Sequence, residues 1–211
     1  MKGTLPRLEC HRWEFGELAA DVNAPPWNQI APVFLSDAVT GAKPKQGTEV
    51  RAGWDSRGWR VLFHAADADA WATLTQRDAP LYKEETVEIF FDTTGDLNSY
   101  FEIEVNPLGT EFDSVFRRNR SGYTGDDSWT CDGLQTRVRR GPDAWTVEIA
   151  VPFAAVTNAP PKPGAEWRVN FCRIDRPSRD HSIPWELSAW SPPGRPNFHT
   201  QERFGIVVFS P

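Results

Sequence analysis

Between Glu84 and Asn106 the chain alternates with period two, twice in succession. Val87, Ile89 and Phe91 fall on one side of the first run, and Phe101, Ile103 and Val105 on one side of the second. Thr93-Thr94-Gly95-Asp96-Leu97-Asn98 separates the runs, so the pattern predicts an antiparallel hairpin of half-buried strands. The opposite parity carries Glu88, Glu102, Glu104 and Asn106. A turn centred on Gly95 would set Glu88 against Glu102 with Cβ atoms about 5 Å apart, where like charges repel. Something in the structure must offset that repulsion.

The rest of the chain has the same texture. Thr48 to Trp54 and Trp59 to Ala65 read as strands around Asp55-Ser56-Arg57-Gly58. Thr110 to Arg117, Gly133 to Arg139, Ala144 to Val151, Trp167 to Cys172 and Phe204 to Phe209 follow as further strands. Asp67 to Pro80 is Ala-rich and reads as an excursion with a helical turn, broken at Asp78-Ala79-Pro80. Arg118 to Asp127 is polar and reads as a solvated loop. Residues 1–26 form an N-terminal arm with at most a short strand, and residues 27–211 an all-β antiparallel sandwich of jelly-roll type, as one domain. Ten Trp and 13 Phe in 211 residues supply a core of adequate size.

Charge and motifs exclude several functions. A net charge of -6 argues against nucleic acid or an anionic membrane as partner. Met1 to Arg12 carries no signal-peptide pattern, and the apolar runs are too short to cross a bilayer. Cys10, Cys131 and Cys172 are too scattered for a disulfide framework or zinc site, though one pair could form. Nucleophile elbow, phosphate loop and dinucleotide fingerprint are absent, and His11, His64, His181 and His199 stand alone. Asp92-Thr93-Thr94-Gly95-Asp96 offers oxygens to a structural calcium, although Asp and Gly there equally serve turn geometry. A monomer is expected.

The acidic face admits three readings. It is a solvated surface neutralised by Arg117, Arg137 or Arg173; or a ligand face, since carboxylates accept strong hydrogen bonds from hydroxyls; or a glycosidase pair drawn from Glu88, Glu104 and Glu102. Trp71, Tyr82, Trp185, Trp190, Phe198 and His199 lie outside the alternating strands, where flat rings suit sugar stacking or simply cover core edges. Arg173 shares the core-facing parity of Trp167, Val169 and Phe171, so it needs a bulge or a buried carboxylate partner.

Several segments taken together resemble the carbohydrate-binding module family 9 fold, and more closely its bacterial family-9-like relatives. They are Trp71-Ala72-Thr73-Leu74-Thr75, Val87-Glu88-Ile89-Phe90-Phe91-Asp92, Tyr100 to Asn106, Trp145 to Pro152, Trp167-Arg168-Val169-Asn170-Phe171, Trp190-Ser191-Pro192 and Glu202-Arg203-Phe204-Gly205. The resemblance implies a sandwich that, in sugar-binding members, holds a terminal sugar between two rings. By motif position these are Tyr82 and Phe198, with Glu88 as a sugar-contacting glutamate. Glu104 stands where such members have an arginine, Cys172 where they have a glutamine, and Arg195 near an asparagine position. An extracytoplasmic location is also implied. The expectation is noncatalytic carbohydrate binding through Tyr82 and Phe198, with hydrogen bonds from Glu88, Glu104, Asn106 and Trp190. The alternatives are a saccharide-active hydrolase or lyase and a protein-interaction module of a larger polysaccharide-degrading system.

Overall fold

A computed structural model describes residues 4–180 and 182–211, so His181 lies outside the described residues. Among these the strands are β1 (Arg7–His11), β2 (Val33–Phe34), β3 (Ser36–Asp37), β4 (Thr48–Trp54), β5 (Gly58–Ala66), β6 (Thr86–Asp92), β7 (Ser99–Val105), β8 (Glu111–Asn119), β9 (Gly122–Asp126), β10 (Gln135–Arg140), β11 (Ala144–Pro152), β12 (Glu166–Asp175), β13 (Glu186–Ala189) and β14 (Gly205–Ser210). The larger sheet runs β1-β14-β12-β6-β7-β8-β9, with β13 continuing from β12 to β3. The smaller runs β10-β11-β5-β4-β2.

The period-two pattern places the core between these sheets. Val87, Ile89 and Phe91 of β6 and Trp167, Val169 and Phe171 of β12 meet Trp59, Val61 and Phe63 of β5 and Trp145, Val147 and Ile149 of β11. The ring of Trp59 packs edge-on against Phe91 and Trp167 at 5.7 Å from each. Burial of such a side chain contributes about 1.5–3 kcal/mol.

Three local expectations are corrected. The hairpin pairs Glu88 with Glu104 and Phe90 with Glu102, two residues away from the expected register. The loop continues through Gly95 and Leu97, both at positive φ, which shifts its centre by one residue. The segment from Asp67 to Pro80 contains no helix; the nearest helical turn is Leu81–Lys83. Its backbone groups are claimed by side chains from elsewhere: the Thr73 and Leu74 amides donate to Glu84, and the Leu74 carbonyl accepts from Asn106 and Thr110. Within Arg118 to Asp127 the chain forms β9, an exposed edge strand paired with β8, whose polar composition hides it from a hydrophobic-pattern reading.

The arm does more than wrap. Its β1 pairs in parallel with β14 and buries Cys10, while Phe15 and Trp27 pack with Leu62 on the outer face of the smaller sheet. All three cysteines are buried and free.

Arg173 stays in regular register and faces the core, so a partner rather than a bulge accommodates it. Its guanidinium bonds Asp67 Oδ2 at 2.7 Å and the Ala66 carbonyl at 2.9 Å, and lies 3.5 Å from Asp175. Glu85 joins this group: carboxylate oxygens of Asp67, Glu85 and Asp175 lie within 4.8 Å of one another. Burial, then Asp67 and Asp175, push Glu85 up to about 9, so it carries a proton at neutral pH. The cluster clips an end of β12 to the end of β5.

Candidate functional site

Outward-facing residues of the larger sheet form the floor of a cavity of about 790 Å³. β6 contributes Glu88, and β7 contributes Glu102 and Glu104. β8 adds Phe112 and Phe116 beside them. Tyr82 comes from the turn before β6, Trp185 from the segment entering β13, and Phe198 and His199 from the loop between β13 and β14.

That loop is held by specific contacts. Asn170 and Ser191 exchange two hydrogen bonds, the Ser191 hydroxyl donates to the Arg203 carbonyl, and Arg195 donates to Thr200. Phe90, Tyr100, Phe198 and Phe204 form a second apolar cluster beneath it. Phe198 packs against Phe90 with ring centroids 6.1 Å apart and is only 6% exposed, so it closes the wall of the cavity. Tyr82 is 48% exposed and Trp185 46%, with the Arg176 guanidinium 3.3 Å above the Trp185 ring. The open rings at this site are therefore Tyr82 and Trp185; sequence reasoning grouped Trp185 with the loop aromatics without assigning it a role.

The floor is acidic and dry. Glu88, Glu102 and Glu104 are 2%, 3% and 2% exposed. Burial, then repulsion from Glu104 and Glu102, holds Glu88 well above the usual carboxylate range, and burial with Glu104 and Asp127 does the same to Glu102. Burial pushes Glu104 up to about 8, with the Tyr82 amide pulling the other way. The arginines expected to neutralise this face are placed elsewhere: Arg117 pairs with Asp126, Arg173 with Asp67 and Asp175, and Arg137 lies on β10 of the smaller sheet. The basic group lining the cavity is His199, with Nε2 3.9 Å from Glu102, and burial lowers it to about 4, leaving it neutral. Burial favours the protonated carboxyls, which do not repel one another, and these side chains do not form a solvated surface.

Tyr82, Glu88, Glu104 and Phe198 are brought together, whereas Asn106 and Trp190 are not. The Asn106 amide donates to the Leu74 carbonyl, and its oxygen accepts from the Leu108 and Thr110 amides, which fixes the turn after β7. Trp190 turns into the sandwich core, its ring 5.5 Å from Phe171 and against Gly205, where a Cβ would lie 2.5 Å from the indole. The Asp92 carboxylate is engaged by its own turn and by Gln201. One Asp92 oxygen accepts from the Thr94 amide and hydroxyl and the Gly95 amide, and the other from the Leu97 amide and Gln201.

The family model described as carbohydrate family 9 binding domain-like matches residues 20–210. The chain is 22% identical to endo-1,4-beta-xylanase A of Thermoanaerobacterium saccharolyticum over 131 residues, 62% of this chain and 10% of that protein. It thus spans about a tenth of the length of that curated relative. Its fold is similar to a family 9 carbohydrate binding module from Caldicellulosiruptor kristjanssonii in complex with cellotriose, with a TM-score of 0.73 at 15% identity, covering 97% of this chain and 94% of that one. The same organism's module in complex with glucose gives 0.71 at 15% identity, covering 97% and 96%.

Proposed function

We propose, from the premise that the chain belongs to the carbohydrate family 9 binding domain-like family, that the cavity over β6 and β7 binds a sugar or polysaccharide end without cleaving it. The observation that carries this reading is the pairing of half-exposed Tyr82 and Trp185 with an inward row of carboxyl groups. Flat amphipathic rings cover the apolar face of a pyranose with little loss of rotamer entropy, and carboxyl oxygens accept from its hydroxyls. The structural neighbours solved with cellotriose and glucose support a saccharide ligand.

Hydrolysis fits the floor less well. A glycosidase pair needs one acid kept protonated and one ionised. Glu88, Glu102 and Glu104 are all raised by the same burial, so none is set apart as the ionised partner.

A shallow sugar site gives dissociation constants of roughly micromolar to millimolar. Tyr82→Ala is expected to weaken oligosaccharide binding about tenfold, the loss of one stacked ring. It should leave the thermal midpoint close to that of the parent, because the ring is half exposed. Calorimetric titration against a panel of oligosaccharides checks this; unchanged affinity in the variant would move the site elsewhere.

A further inference from the structure

We infer that the cavity selects a sugar bearing a free amino group, held as an ammonium over Glu88, Glu102 and Glu104, in preference to a neutral sugar. This rests on the cavity being a sugar site, as proposed above.

Two of the floor's oxygens ask for donors. Glu88 Oε1 and Glu104 Oε2 are buried and have no hydrogen-bond partner. An orphaned buried polar atom costs about 1–3 kcal/mol, and an uncompensated carboxylate more. The titratable groups around them are Glu88 from β6, Glu102 and Glu104 from β7, Asp127 beyond β9, His199 from the covering loop, and the Cys172 thiol from β12, with the Arg176 guanidinium over Trp185 and the Lys83 ammonium over Tyr82 at the rim. Among the described lining residues none is lysine or arginine.

The chemistry of candidate ligands then separates them. A sugar hydroxyl brings one donor and leaves the floor neutral. An ammonium brings three donors and no acceptor, and its charge compensates carboxylates that ionise beneath it. An aromatic wall such as Phe116 attracts a cation as well. A divalent metal suits the floor poorly, because its three glutamates do not converge as Asp67, Glu85 and Asp175 do. Glu88 faces Glu104 across the strands, and Glu102 lies one pleat further along β7, a step of about 7 Å. That spread matches an ammonium and flanking hydroxyls on one pyranose ring. Because such a ligand favours ionised carboxylates that otherwise hold protons, its binding releases protons to solvent.

The test is calorimetry of the full chain at about pH 6.5 with glucosamine trimer, its N-acetylated counterpart and cellotriose, in two buffers of different ionisation enthalpy. The glucosamine trimer is expected to bind at least about tenfold tighter than cellotriose, with proton release. The advantage should shrink in about 0.5 M salt, as a charge-based preference does. Glu104→Gln should bring the two within about twofold of each other. Cellotriose binding equally well or better would overturn the amino-sugar preference while leaving the sugar site standing. Absence of binding by all three would overturn both. Choline binding as tightly as the glucosamine trimer would also overturn the inference, since the cavity would then hold an ammonium without reading a sugar.

Discussion

Arg173→Met is expected to destabilise the domain by about 3–5 kcal/mol, the cost of breaking a buried ion pair from one side. Arg173 is fully buried, and it supplies positive charge to Asp67 and Asp175. Burial raises Asp175 to about 6 even with the guanidinium beside it, and without it the carboxyls must take up protons or draw in water. The variant also loses the bonds to the Thr48 hydroxyl and the Ala66 carbonyl, which join the ends of the two sheets. Against a total stability of about 5–15 kcal/mol this loss is large. Urea unfolding measures it. Adding Asp67→Asn should recover part of the loss, because two groups in one ion network are not additive. A loss below about 1 kcal/mol would show that the cluster does not clip the two sheets together.

Buried carboxyls of the floor and of the Arg173 cluster make stability fall as pH rises from about 6.5 to 9. Carboxyls whose folded pKa lies above the unfolded value bind more protons in the folded state, so their contribution is full below about pH 4.3 and is lost as pH climbs through the folded pKa. Glu104 at about 8 and Glu85 at about 9 set that window, with Glu88 and Glu102 shifted in the same direction. His199, lowered to about 4, acts at the other end: its contribution is present above about pH 6.5 and is lost as pH falls toward 4. Glu104→Gln keeps the shape of the protonated acid and removes the charge. It is therefore expected to flatten the alkaline limb and to gain about 1–3 kcal/mol over the parent at pH 8.5. Chemical denaturation at a series of pH values reads this directly. A parent whose stability is flat or rises from pH 6.5 to 9, or a variant less stable than the parent at pH 8.5, would contradict the origin assigned to the shift.

Much of the sandwich is legible because period-two alternation survives wherever one face of a strand is buried. β6, β7, β11 and β12 all carry it, and their apolar parity faces the core. β9 lacks it because an edge strand over solvent has no apolar side to reveal. The hairpin register escaped for a different reason: it depends on where Asp92 binds its own turn, and loop centring is not encoded in hydrophobic pattern. Alternation also carried Glu88, Glu102 and Glu104 to one face, but it is blind to what covers that face. The loop bearing Phe198 and His199 dries the floor through tertiary contacts such as Asn170 with Ser191. Asn106 and Trp190 were misplaced for the same reason, since a polar side chain can be consumed by its own turn and a loop aromatic can fold inward.

A crystal structure of the domain saturated with an oligosaccharide that binds it in calorimetry tests the central claim most directly. The account predicts a terminal sugar ring inside the cavity, against Tyr82 and over Glu88 and Glu104. A ligand bound on any other face, with this cavity holding only solvent, would contradict it.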